Sequence, residues 1–144
     1  MLNDQNLKNQ IVDHEGIKPY AYQDTKGFWT IGCGRLIDQR KGGKLSMDEI
    51  FYLLNNDIKE AVRDLSPYAW FNIQDEVRQG VLVELVFNNG LPHLLGFVKM
   101  IAALKNLDYP TAVKELLDSD WARKDVGAKR VSDLSFRLQF RKYK

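Results

Sequence analysis

The strongest constraint in this chain is a helix signature that begins at Ser46. Ser46-Met47-Asp48-Glu49 puts a serine at a helix N-cap and a glutamate three residues on, the reciprocal pattern that satisfies two otherwise free backbone donors. Behind it, Ile50, Leu53, Leu54, Ile58, Ala61, Val62 and Leu65 recur at helical spacing until Ser66-Pro67. A helix of this length divides the chain into a part before it and a part after it, and the two parts have different periodicities.

Before the helix, residues 20–23 and 28–33 are rich in aromatic and β-branched residues, and Asp24-Thr25-Lys26-Gly27 between them has turn chemistry. This predicts a β-hairpin, followed by a glycine-bearing loop from Gly32 to Lys44. A first helix is predicted from about Asn3 to His14, with Leu7 and Ile11 one turn apart and Gly16 as its stop. After the long helix, the patterns predict helices over 74–89, 93–107, 109–119 with Asp108 as a cap, and 128–143. Val81–Phe87 is apolar on nearly every side and so central, and Gly90-Leu91-Pro92 breaks the chain behind it. The fold class is α+β: a small N-terminal β-hairpin lobe and a larger helical C-terminal lobe joined by the long helix. With 144 residues the chain is one domain, its lobes spanning about 15–60 and 1–14 plus 61–144. The short apolar face of the first helix needs a helical partner, which assigns it to the helical lobe.

Composition excludes several classes. An apolar share of 44% with 28% charged residues excludes disorder, and no apolar run approaches the ~20 residues of a membrane span. The start lacks a basic region followed by an apolar one, so no export signal is predicted. Cys33 has no partner for an internal disulfide and reads as a small buried hydrophobe, and His14 and His93 are too few and too far apart for a metal site. Residues 121–144 carry eight Lys/Arg against two Asp, whereas residues 1–120 carry thirteen against seventeen acidic residues. In the final helix Arg130, Arg137, Arg141 and Lys144 recur near one face, suited to an anionic cell envelope or to nucleic acid. No helix-turn-helix pattern supports the nucleic-acid alternative, whose binding would fall steeply with salt.

Two acids attract attention on local grounds. Glu15 stands at the end of the first helix, where unpaired carbonyls disfavour a second negative charge and favour a protonated carboxyl, as a general acid requires. On these local grounds alone, an exposed helix-end glutamate beside a glycine stop is the better explanation. Asp24 opens a turn, and bonding its own backbone is reason enough for it.

Residues 14–36, H-E-G-I-K-P-Y-A-Y-Q-D-T-K-G-F-W-T-I-G-C-G-R-L, change this balance. The string resembles the phage-type lysozymes, glycoside hydrolase family 24, and most of all the T-even-phage type. It shares glutamate-glycine, then Y-x-D-x-x-G, then aromatic-T-I-G-x-G, with the same spacing from Glu to Asp to Thr. L-V-F-N-N-G followed by G-F, and W…A-K-R-V, resemble the family further along, over residues 85–97 and 121–131. The resemblance implies hydrolysis of the β-1,4 bond between N-acetylmuramic acid and N-acetylglucosamine in peptidoglycan. It implies Glu15 as general acid, Asp24 and Thr30 as holders of the attacking water, and Leu36 and Phe87 as substrate contacts. Two carboxyls with a water between them are the inverting arrangement, about 6.5–9.5 Å apart. No metal or organic cofactor is implied. A lytic transglycosylase, which forms an anhydro-sugar without water, and a catalytically silent wall-binding protein are the neighbouring alternatives. The expected setting is a monomeric endolysin that accumulates in the host cytoplasm and reaches the wall through a separate membrane pore.

Four expectations follow that a structure can test. In a plain two-residue hairpin Asp24 and Thr30 fall on opposite faces, so their cooperation needs a break in the alternation at the turn. Tyr20, Tyr22, Phe28 and Trp29 read as core rather than as a sugar platform. Arg35 stands where many family members have histidine, and the resemblance pairs it with Asp57. Gly127 stands where the T-even-phage type has an arginine near the acid, with Arg123 or Lys124 as candidate substitutes.

Overall fold

The capping box forms as the sequence predicts. Ser46 N donates to Glu49 Oε2 at 2.6 Å and Glu49 N donates to Ser46 Oγ at 3.2 Å, opening helix α2, Met47–Leu65. The computed structural model describes residues 5–144, so Asn3, the expected start of the first helix, lies outside the described residues. The chain divides into two compact units, Met1–Tyr52 and Leu53–Lys144, and α2 runs through the division.

In the first unit, α1 (Gln5–Glu15) ends where Gly16 turns left-handed at φ 73° and donates to Val12 O at 2.8 Å. Strands β1 (Lys18–Gln23), β2 (Trp29–Gly32) and β3 (Arg35–Leu36) form one antiparallel sheet in sequence order. The third strand lies inside the segment read as loop, because two residues are too few to show a period. Between β2 and β3 the left-handed Gly32 and Gly34 put Cys33 on an exposed tip, which corrects its reading as a buried residue. A single 3-10 turn, Gln39–Lys41, follows, capped by Asp38. Tyr20 is 81% and Trp29 46% exposed, and Tyr22 and Phe28 are half-buried, so the hairpin aromatics are not core. Their charged neighbours cover them: Lys18 lies over Tyr22, and Arg40 and Lys41 over Phe28.

The second unit holds the apolar core. α4 (Glu76–Asn89) contributes Val81, Leu82, Leu85 and Val86, packed with Leu65, Leu94, Met100, Leu104, Leu116, Trp121, Leu134 and Leu138. The short α3 (Ala69–Asn72) adds Trp70 and Phe71. The single helix expected over 93–107 is two, α5 (Leu91–Leu95) and α6 (Val98–Lys105), separated at Gly96-Phe97. α7 (Tyr109–Leu117) begins at Asp108, whose carboxylate accepts from Thr111 N at 3.2 Å. A π-type turn, Trp121–Asp125, leads to α8 (Ala128–Phe140), which stops at a left-handed Arg141, φ 57°. No helix among the described residues is long and apolar enough to cross a membrane.

One buried cation fastens this core. Arg78 donates to Leu138 O at 2.7 Å, Gln139 O at 3.0 Å and Asp75 Oδ2 at 2.9 Å, with its guanidinium 3.4 Å from the centre of the Tyr109 ring. It thereby satisfies carbonyls at the end of α8 that have no partner within the helix. Arg78→Ala leaves those carbonyls without their donor and takes from Asp75 Oδ2 its guanidinium partner, a loss of about 3–5 kcal/mol. Thermal or urea unfolding checks this, and an unaltered midpoint contradicts it.

Candidate active site

The hairpin turn decides whether Asp24 and Thr30 can act together. Asp24 N donates to Phe28 O at 2.9 Å and Gly27 N to Asp24 O at 3.0 Å, with Gly27 left-handed at φ 81°. The loop therefore has three residues, and Gly27 and Phe28 together oppose Asp24, a glycine bulge. Gln23 then faces Trp29 and Tyr22 faces Thr30. The extra residue breaks the alternation at the turn, and Tyr22, Asp24, Phe28 and Thr30 share one face of the sheet. On the other side of β2, Thr30 faces Leu36, so Leu36 joins that row, half-buried. A second register shift lies between Lys18 and Tyr22.

The Asp24 carboxylate is half spoken for. Oδ1 accepts from Lys26 N and Phe28 N, both at 2.9 Å, and Oδ2 accepts from no described residue. Thr30 is 5% exposed and spends its one proton on Phe28 O at 3.1 Å. Its oxygen keeps lone pairs and can only accept from an incoming water. Glu15 is exposed at the last position of α1 and makes no hydrogen bond or ion pair to a described residue. Its side chain lies against Gly34, where a Cβ would come within 2.7 Å of Oε2. Gly34 thus serves two needs: φ of 64° and close approach to a carboxylate.

Asp38 and Arg40 went unremarked in the sequence, although an aspartate before a short turn closed by Gly42-Gly43 is a capping signal. Asp38 is 4% exposed. Oδ1 accepts from Arg40 N at 3.0 Å and Nε at 2.9 Å, and Oδ2 from Arg40 NH2 at 2.7 Å and Trp29 N at 3.0 Å. The Arg40 side chain, then the Trp29 amide and the Arg40 amide, hold the Asp38 carboxyl well below the usual carboxylate range. The same pair raises the Arg40 guanidinium above its ordinary value.

Arg35 does not take the partner expected of it. Its guanidinium pairs with Glu49, 2.8 Å from NH1 to Oε1, and donates to Lys44 O at 3.1 Å. The capping box fixes the Glu49 carboxylate at the start of α2, beside the returning chain, whereas Asp57 lies more than two turns further along the helix. The Ser46 amide first, then the Ser46 hydroxyl and Arg35, hold the Glu49 carboxyl below its ordinary range.

Phe87, the other expected substrate contact, belongs to the second unit, 52% exposed on α4. It borders a depression with Asp57, Glu60, Asp64 and Leu91. Of the four residues expected on the cationic face of the last helix, Arg130, Arg141 and Lys144 stay exposed and Arg137 turns inward. Arg137 is buried beside Leu134 and Leu138, its guanidinium 2.8 Å from Glu84, and a Cβ at Gly80 would meet it at 2.7 Å. Arg141 lies 3.7 Å from Asp75, Arg130 4.0 Å from Glu84 and Lys144 3.6 Å from Asp133. Arg123 lies 3.5 Å from Asp118, and Lys124 3.2 Å from Asp120. Trp121 donates to Asn88 Oδ1 at 2.9 Å, tying the π-type turn to α4.

A mostly helical chain with a small three-stranded antiparallel sheet near its start is consistent with an α+β lysozyme-like fold. Residues 12–139 match the phage lysozyme family, and the chain belongs to it. It is 24% identical over 142 residues to Probable T4-type lysozyme 1 of Dictyostelium discoideum, covering 80% of this chain and 84% of that protein. Probable T4-type lysozyme 2 of the same organism is 25% identical with the same coverage. The pre-baseplate central spike protein Gp5 of Enterobacteria phage T4 is 26% identical over 82% of this chain but only 25% of its own length. The chain is accordingly an enzyme, a glycoside hydrolase of lysozyme type that acts on peptidoglycan.

Two predictions follow from this geometry. Gly34→Ala forces the Glu15 carboxylate to move and strains a left-handed backbone, so it lowers kcat at least tenfold (roughly 1.4 kcal/mol of barrier); turnover at the unsubstituted level contradicts the contact. Asp38 has a depressed carboxyl in the folded chain, so its stabilisation is present at neutral pH and fades below about pH 4 as acid titrates it. The gap in melting temperature between the natural chain and Asp38→Asn is therefore widest near pH 7 and narrows in acid; a gap that widens there contradicts this.

Proposed function

We propose that the enzyme cleaves the β-1,4 bond between N-acetylmuramic acid and N-acetylglucosamine with inversion at the anomeric carbon. Glu15 protonates the glycosidic oxygen as the bond breaks. A water held by hydrogen bonds to Asp24 Oδ2 and Thr30 Oγ1 attacks the anomeric carbon from the far side of the sugar, and Asp24 takes the proton it loses. Ionised Asp24 also opposes the positive charge that develops at the anomeric carbon. The observation that carries this reading is the glycine bulge, because it brings the threonine hydroxyl to the face of the aspartate. Leu36, next to Thr30 in the sheet, and Phe87 supply apolar contacts to the glycan.

In this reading the chain is an endolysin: it accumulates in the host cytoplasm and meets the wall after a separate pore opens the inner membrane. The excess of eight Lys/Arg over two Asp in residues 121–144 supports attraction of the basic C-terminal helix to an anionic wall.

Mass analysis of digested peptidoglycan tests the bond and the reaction together. Hydrolysis yields reducing muramic-acid ends one water heavier than the anhydro product of a lytic transglycosylase; anhydro ends contradict the proposal. Glu15→Gln is expected to lower turnover by about 10²–10⁴-fold with folding intact. Retained lysis in that variant removes Glu15 from the role.

A further inference from the structure

The first unit is fastened in an unusual way. Among the described residues of that unit, the two classed as buried are both polar, Thr30 and Asp38. Its hairpin is therefore positioned by directional bonds, and these converge on residues 27–30. Arg40 NH2 donates to Gly27 O at 3.0 Å, at the left-handed residue of the bulge. Asp38 Oδ2 accepts from Trp29 N, and Trp29 O in turn accepts from Ile37 N at 2.9 Å and Asp38 N at 3.1 Å. Trp29 is thus tied at both backbone groups, one residue from Phe28, whose amide binds Asp24, and one residue from Thr30. The loop that delivers the carboxylate is drawn tight: a Cβ on Gly43 would lie 2.5 Å from Ile37 C.

We propose that Asp38 and Arg40 are positioning residues for the reaction: they touch neither sugar nor water but set the placing of Asp24 and Thr30 through Gly27 and Trp29. This rests on the reading of Asp24 and Thr30 given above. The geometry suits the task. The Asp38 carboxylate has each oxygen doubly occupied, and the fork of Arg40 reaches carboxylate and carbonyl at once, which a lysine ammonium cannot reproduce. The Arg40 side chain is 65% exposed, so its removal opens no cavity, but it withdraws two of the four donors of the buried Asp38 carboxylate. A displacement of about 1 Å at reacting groups can cost roughly 10²-fold in rate.

The test is steady-state kinetics on solubilised peptidoglycan with the full chain and four variants, Arg40→Ala, Arg40→Lys, Asp38→Asn and the double variant of Arg40→Ala with Asp38→Asn, alongside thermal melting. Measured well below the melting temperature of every variant, Arg40→Ala is expected to lower kcat by roughly 10- to 100-fold with KM changed less than about twofold. Arg40→Lys restores only part of the loss. The double variant Arg40→Ala/Asp38→Asn is no worse in kcat than the poorer single one, because the pair acts as a unit. Natural turnover in Arg40→Ala, or full rescue by lysine, overturns the proposal while leaving the assigned reaction intact. Losses of kcat that only track lowered melting temperature also overturn it. A natural chain that does not cleave peptidoglycan overturns the functional reading itself and this proposal with it.

Discussion

The hydrogen bonds received by the buried Asp38 carboxylate are the constraint on which the small unit depends. A sheet of three short strands is marginal without an apolar face packed on something, and here the hairpin aromatics lie at the surface or half-buried under cations. What defines the sheet is polar bonding: the bulge at Gly27, the caps made by Asp24 and Asp38, and the reach of Arg40 from one to the other. Such bonds are directional, so they fix geometry more sharply than apolar packing of the same strength would. The arrangement fits the water-holding role proposed for Asp24 and Thr30.

The second unit works by the opposite physics. Leucine, valine, methionine and tryptophan side chains fill its interior, and among the described residues the polar side chains buried with them find partners, except at Nε of Arg137. Gln74 donates to Trp70 O and Leu104 O and accepts from Tyr109, while Arg78 closes the end of α8. The first unit holds the proposed acid and the proposed water-holding pair, and the second holds the apolar core and the exposed Phe87.

Much of this was legible in the sequence, and the failures have a common cause. Capping signals are local, so Ser46 and Asp108 announced their helices correctly. The turn chemistry of residues 24–27 located the hairpin, and the requirement that Asp24 and Thr30 share a face anticipated a broken alternation; the glycine at 27 supplies it. Family resemblance located Glu15, which local reasoning alone leaves as an ordinary helix end. Partner choice was not legible. Arg35 takes Glu49 because a capping box had already fixed that carboxylate nearby. Arg137 turns inward because Leu134 and Leu138 on the same side of α8 face the core and Gly80 leaves room for it. Helical spacing shows which residues share a stripe and not whether that stripe faces water. The third strand and the Asp38 turn are too short to carry a period at all.

The account ties the proposed chemistry to one fastening, and native-state amide hydrogen exchange at Trp29 reads that fastening most directly. The Trp29 N–H is predicted to be among the slowest to exchange in residues 5–52, and to become fast in Asp38→Asn while the Leu85 amide in the larger core is unchanged. Exchange at Trp29 as rapid as at the exposed Thr25, in the natural chain, would contradict it.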